Sequence, residues 1–264
     1  MIIMSIEHAP ETEKWEESLT LGNESLIENR NFVNLDCENI NHEYLTFRNC
    51  KIKGSNFKYS SLPNLKMFNC EIYDCDFSQA TLNDAEFESC SFYQADNALG
   101  CDFFRTSLLR AAFTNCNISL NNFELADAFQ ISIKDCKAHG CNFKHTNFTT
   151  VVSKSKIFSI AELTNSDFRY SDFTGVYLEK CNLSCSRFID VILSEANLEG
   201  ANLTSTDFAP SQYINLQLFQ ADLRHAQICN VNIKELDFSG VKIVEWQQDI
   251  FMEGLGITVF PDNS

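Results

Sequence analysis

Cys136, His139, Cys141 and His145 stand within ten residues of one another, and thiolate and imidazole are the ligands a tetrahedral zinc ion takes. The other histidines, His8, His42 and His225, have no neighbours at ligand or triad spacing. The chain holds no glycine-rich phosphate loop, nucleophile elbow or dinucleotide fingerprint. Its 36 Asp and Glu could supply acid–base pairs, but against only 20 Lys and Arg they read first as a solvated acidic surface. Whether the cysteine–histidine cluster is a site depends on where the backbone places these side chains.

A net charge of -16 argues against nucleic acid as a direct partner, because phosphate binding needs clustered Lys and Arg to displace counterions. It equally disfavours an anionic membrane surface. The chain contains no run of eighteen apolar residues, and its opening, MIIMSIEHAPETEKWEES, lacks a basic leader. These features point to a cytosolic protein with neither membrane span nor signal peptide. In that compartment the 12 cysteines are expected to be reduced and need another explanation than disulfides.

The elements that position the cysteines follow from a period of five. Counting by fives from Ile27 reaches Phe47, Ile52, Phe57, Leu62, Met67, Ile72, Phe77, Leu82, Phe87 and Phe92. The phase slips by one residue and resumes at Phe103, running to Phe148, then from Phe158 through Leu163, Phe168 and Phe173 to Ile243. Between Phe103 and Ile243 only Ser153 is polar at these positions. The residue two places earlier is often small, and nine cysteines occupy that slot: Cys50, Cys70, Cys75, Cys90, Cys101, Cys116, Cys136, Cys141 and Cys181. Free cysteine behaves as a small, buried hydrophobe, so Cys136 and Cys141 are read as interior packing, with no metal and no cofactor. A period of five fits neither a helix nor a simple strand. It fits a coil that turns a corner every five residues, with the large and small residues inward and Asp or Asn between them bonding the backbone of the turn.

This pattern resembles the pentapeptide-repeat family, whose consensus is A-(D/N)-L-x-x, over roughly residues 27–245. The resemblance implies an all-β fold, a right-handed quadrilateral β-helix of about ten or eleven coils. The stretches GCDFFRTSLLRAAFTNCNIS at 100–119, VYLEKCNL at 176–183 and MEGLGITV at 252–259 are similar to the Qnr quinolone-resistance proteins, as are two breaks in the repeat. The acidic extension at residues 1–26 departs from that pattern. The resemblance implies no enzyme but an acidic, DNA-mimicking homodimer that binds DNA gyrase and topoisomerase IV and protects them from quinolones. Immunity to another gyrase poison and a plain adaptor solenoid are the alternatives.

The first break is 95–100 and the second 151–160, with flanking loops at 93–100 and 151–162. Expected topoisomerase contacts are Tyr93, Asp96, Asn97 and Leu99 in the first, and Lys154, Lys156, Ile157 and Phe158 in the second. After Ile243 the spacing changes to Trp246, Ile250, Phe251 and Leu255, an amphipathic helix stopped by Gly256 and followed by a strand-like tail, Ile257 to Phe260. Residues 246–264 are expected to cap the coil and to form the dimer interface. Residues 1–26, with six glutamates and one lysine, form an acidic extension or cap.

Overall fold

A computed structural model describes residues 25–153 and 156–260. Fifteen short strands, numbered in chain order, fall among them, and the repeat winds them into a four-sided right-handed coil of about ten turns. The first face stacks β1 (Ser25–Glu28), β3 (Leu45–Arg48), β5 (Lys66–Phe68), β7 (Glu86–Glu88), β8 (Ala112–Thr114), β9 (Ile131–Lys134) and β12 (Ala161–Thr164) in parallel. The second face carries β2 (Asn31–Val33), β4 (Lys51–Lys53) and β6 (Glu71–Tyr73), and further on β13 (Arg187–Ile189), β14 (Asp207–Ala209) and β15 (Gln227–Ile228). The third and fourth faces are held by single parallel bridges such as Asp76 to Asp102 and Ser107 to Asp127.

Register gives the insertion lengths directly. Ile27 pairs with Phe47, Phe47 with Met67 and Met67 with Phe87, twenty residues per turn. The step grows to twenty-six between Phe87 and Phe113 and to thirty between Ile133 and Leu163. The excesses, six residues and ten, match the breaks at 95–100 and 151–160.

The interior is a set of columns. On the third face Phe57, Phe77, Phe103, Phe123, Phe143 and Phe173 stack with centroids 4.7–5.0 Å apart and planes within 14°. That spacing is the inter-strand distance itself, so the rings sit in register turn after turn. Edge contacts, such as Phe103 to Phe113 at 6.3 Å, tie this column to its neighbours.

The small slot on the second face is also a column: Cys50, Cys70, Cys90, Cys116 and Cys136, then Ser166 and Ser186. Its side chains are small donors to backbone carbonyls. Cys90 Sγ lies 3.3 Å from the Met67 oxygen, and Ser186 Oγ lies 2.8 Å from that of Leu163. Cys136 and Cys141, on adjacent faces, bond the carbonyls of Phe113 and Ile118. Burial pushes the thiols of Cys141 and Cys181 up to about 12. Ten cysteines are buried, whereas Cys185 and Cys229 are exposed. A thiol reagent applied to the native protein is therefore expected to label Cys185 and Cys229 and to reach the other ten only after denaturation. Mass spectrometry of the labelled peptides checks this, and rapid native labelling of Cys90 or Cys116 would contradict the packing.

Each corner needs one residue in the left-handed region. Asn, Asp and Gly fill many of these places, as at Asn49 and Gly200, but Tyr59, Leu120, Leu125 and Lys180 also adopt φ near 60°, where a β-carbon costs about 1–2 kcal/mol. The Asp or Asn between the inward pair helps hold the corner. Asp102 Oδ1 accepts the Phe104 N–H at 2.9 Å, and Asn122 and Asn142 act likewise.

At the C-terminal end a single 3-10 turn, Glu245–Gln247, leads into α1 (Gln248–Leu255), which ends at Gly256 with φ of 79°. Gln247 is buried beneath the last turn, where its amide donates to the Leu223 and Ala226 carbonyls at 2.8 Å each. Phe251 meets Phe238 edge-on at 5.2 Å, and a β-carbon at Gly254 would lie 2.5 Å from Ile233 Cγ1, so the helix is pressed against the coil as a lid. The tail from Ile257 to Phe260 forms no strand, contrary to the strand-like reading of its residues: its backbone finds no partner strand among the described residues.

Candidate functional site

The two insertions leave the rod at different edges. Residues 93–100 join the second face to the third in the fourth turn, and residues 149–160 join the fourth face to the first after the sixth. The loops therefore sit on diagonally opposite edges of the four-sided coil.

The longer insertion is a β-hairpin. Strand β10 (Thr149–Ser153) pairs antiparallel with β11 (Lys156–Ser159), with an irregularity between Val151 and Ser153. Asn147 anchors its base, accepting from the Thr149 N–H at 3.0 Å and the Thr149 hydroxyl at 2.7 Å. Val151 pairs with Ile157 on one face and Phe158 lies opposite Thr150 on the other, and at the base the Ile160 N–H donates to the Phe148 carbonyl at 3.2 Å. The side chains of Val151, Ile157, Phe158 and Ile160 are exposed, Val151 at 70% and Ile157 at 62%. Two strands alone are marginally stable in water, and apolar side chains displayed on both sides suit a surface that another protein covers. Phe158 keeps the repeat phase in sequence but leaves the core, being drawn into the hairpin by pairing with Thr150. Lys154 lies outside the described residues, and Lys156 is described through its backbone pairing with Ser153.

The shorter insertion is a compact turn. Gln94 and Leu99 exchange backbone hydrogen bonds at 2.9 and 3.2 Å. Asp96 and Asn97 are exposed at the tip, and Tyr93 and Leu99 are half-buried at the base. Gly100 returns the chain to the coil so closely that a β-carbon there would stand 2.5 Å from the Leu120 carbonyl oxygen. Beside this loop Tyr93, Leu120, His139, Gly140 and Tyr170 line a shallow groove of about 180 Å³.

The acidic surface is not uniform. Asp167 is half-buried within a cationic cluster: Arg169 Nη2 at 2.8 Å, His139 Nε2 at 2.9 Å and Arg187 Nη1 at 3.8 Å. Burial alone would raise this carboxyl, but hydrogen bonds from Arg169 and His139 outweigh it and hold it at about 2. Asp207 shares Arg187, and Asp222 is paired with Arg224. Asp102, Asp172, Asp190 and Glu195 meet no cation among the described residues. Free negative charge thus lies on the third face, at Asp102 and Asp172, and also on the first, at Glu88 and Glu162, and the fourth, at Asp127.

The residues expected at an interface on the C-terminal helix divide in two. Phe251 is turned toward Phe238 and Ile250 is half-buried, whereas Trp246 and Leu255 are exposed together with Ile257, Val259 and Phe260. Gln247, which ties the helix to the coil, was not singled out by the sequence pattern, since a polar residue at helical spacing gives no sign of burial.

The sequence profile of the family described as Pentapeptide repeats matches residues 70–96, 158–184 and 181–209. The fold overlays the whole of full-length QnrB1, described as a plasmid-mediated fluoroquinolone resistance protein, with a TM-score of 0.69 and 27% identity over 88% of this chain. A trypsin-treated form of QnrB1 aligns over 83% of this chain and all of its own, with 32% identity and a TM-score of 0.63. The chain is a Qnr-like pentapeptide-repeat protein. Among curated Qnr relatives, QnrB96 of Scandinavium goeteborgense is 36% identical and QnrB4 of Escherichia coli 34% identical, each over 89 residues. Those matches span 42% and 41% of the relatives' lengths and 34% of this chain. No helix among the described residues of this Qnr-like chain is long and apolar enough to cross a membrane.

Proposed function

We propose that this Qnr-like protein binds the bacterial type II topoisomerases, DNA gyrase and topoisomerase IV, as a stand-in for duplex DNA, and so protects them from quinolones in the cytoplasm. The carrying observation is the overlay on the entire length of a fluoroquinolone-resistance protein. The surface supports it. Residues 67–264 hold 26 acidic against 13 basic side chains, on a rod whose turns rise by about 4.8 Å each. Duplex DNA carries one charge per about 1.7 Å, so the rod imitates its sign and shape at lower charge density. Such a surface steers toward a basic DNA-binding saddle and is screened by salt. The hairpin, with Ile157 and Phe158 at its exposed apolar sides and Lys156 at the start of its second strand, supplies contacts of shape, and Lys154 is proposed to join them. Tyr93, Asp96, Asn97 and Leu99 supply the second set. Function here is binding alone, without a catalytic step.

The test is gyrase supercoiling in the presence of ciprofloxacin, with and without the protein. Restored supercoiling supports the reading, and no relief at any protein concentration defeats it. Relief of a different gyrase poison but not of the quinolone would favour an immunity role instead.

Trp246, Leu255, Ile257, Val259 and Phe260 are all exposed at the C-terminal end, and apolar side chains displayed there suit a second copy. Leu255→Asp combined with Phe260→Asp is expected to convert a dimer to monomers, since carboxylates buried without partners are strongly unfavourable. Phe251 is left intact because it holds the lid. Sedimentation velocity reads the outcome, and a wild-type monomer would remove the interface.

A further inference from the structure

Charge is distributed unevenly along the chain. Residues 25–66, the first two turns and the start of the third, carry six Lys and Arg against four Asp and Glu, whereas the rest of the rod is strongly acidic. Arg30, Arg48 and Lys53 there meet no carboxylate among the described residues. The outside of the first face at this end holds a groove of about 360 Å³ lined by Leu26, Tyr44, Thr46, Arg48, Asn64 and Lys66. Leu26 and Tyr44 are exposed at 56% and 52%. The groove therefore offers apolar walls and cationic rims, Arg48 with no carboxylate partner among the described residues and Lys66 shared with Glu86 at 3.0 Å, on a chain whose remaining turns carry an excess of acid.

The chain enters at the wall of this groove, through Ser25 and Leu26. The 24 residues before it hold Glu7, Glu11, Glu13, Glu16, Glu17 and Glu24 against Lys14 alone, with Trp15, Leu19 and Leu21 among them. They match the groove in both respects, acid for its cations and apolar side chains for its walls. Reach is not limiting: eight to twelve residues of extended chain separate Glu13 to Glu17 from Ser25, at up to about 3.3–3.6 Å each. Tethering also raises the effective concentration of the segment at the groove, so weak contacts suffice.

We propose that residues 1–24 of the same chain dock in this groove, with the glutamates at 13, 16 and 17 on Arg48 and Lys66 and the apolar residues on Leu26 and Tyr44. The docked segment covers the basic end of the rod, so that the protein presents acid from end to end. This assignment is independent of the topoisomerase reading.

The chain has two tryptophans, Trp15 and Trp246, so Trp246→Phe leaves Trp15 as the reporter. In dilute buffer Trp15 is expected to emit at shorter wavelength than a solvated indole and to resist acrylamide quenching. Both properties should be lost in Arg48→Glu/Lys66→Glu, with quenching rising several-fold, and recovered when Glu13→Lys, Glu16→Lys and Glu17→Lys are added. Circular dichroism confirms that the coil is folded in each variant. In the unsubstituted groove, salt at 1 M, where the Debye length falls to about 3 Å, should weaken docking in the same direction. A Trp15 already solvated in dilute buffer, or one indifferent to both charge reversal and salt, overturns the proposal. Emission that depends on protein concentration overturns it too, by assigning the groove to the segment of a second copy.

Discussion

Phe103→Ala is expected to destabilise the protein by about 3–5 kcal/mol, the range for removing a buried aromatic side chain. The ring is fully buried. It stacks on Phe77 and Phe123 at 5.0 Å each and takes edge contacts from Phe92 at 5.8 Å and Phe113 at 6.3 Å. Its neighbours cannot close the hole, because each is fixed in height by the parallel register of its own turn. A solenoid turn is stabilised only by the turns beside it, so the loss also loosens the joint between the two halves of the rod. Hydrogen exchange should rise most in the fourth and fifth turns, those of Phe87 and Phe113, and denaturant unfolding should move to a lower midpoint. Phe103→Leu, which refills much of the volume, should cost less. A Phe103→Ala protein with an unchanged midpoint would mean that the column is not a continuous core.

The columns were legible in the sequence because one constraint repeats: a large and a small residue face inward in every five. The cysteines followed from the same constraint, and the register steps of twenty-six and thirty bear out the lengths of both breaks. What was not legible was set by contacts outside the repeat. Nothing in the sequence separates the left-handed corner at Leu120 from a turn of ordinary hand, since the corner is imposed by the bonded turns above and below. Phe158 keeps the phase of inward residues and is also an expected loop contact, a tension the count alone does not resolve, because a hairpin can pull a residue out of the coil while leaving the count unchanged. Asp167 and Asp207 resemble free surface acids in sequence. Arg169, His139 and Arg187 reach them from the corners of adjacent turns, distances in sequence that a local pattern does not join.

Removal of residues 151–160 is expected to abolish quinolone protection while leaving the rod folded and much of its topoisomerase binding intact. The deletion is clean in register. It places Leu163 five residues after Phe148, so the coil continues as it does from Leu108 to Phe113. The Gln130 N–H, which donates to the Ile160 carbonyl at 2.8 Å, then meets the Thr149 carbonyl, as Arg110 meets that of Phe129 at 3.0 Å. What is lost is the exposed apolar hairpin, and binding through the acidic faces should weaken by no more than about tenfold, or 1.4 kcal/mol. The converse change is neutralisation of Asp102, Asp172 and Asp190 to Asn and Glu195 to Gln. These four have no cation to lose, and Asn keeps the acceptor that Asp102 gives to the Phe104 N–H. Asp167 and Asp207 are left alone, because removing Asp167 would strand Arg169 and removing Asp207 would leave Arg187 only its longer contact, 3.8 Å to Asp167. The neutralised protein should bind more weakly with a flatter salt dependence, and its protection should fall only as its binding falls. Titrations at two salt concentrations, run beside supercoiling assays with the drug, separate the two roles. Equal loss of both properties from the deletion, or protection lost ahead of binding in the neutralised protein, would end the division of labour between rod and hairpin. Undiminished protection after the deletion would remove the hairpin from the mechanism.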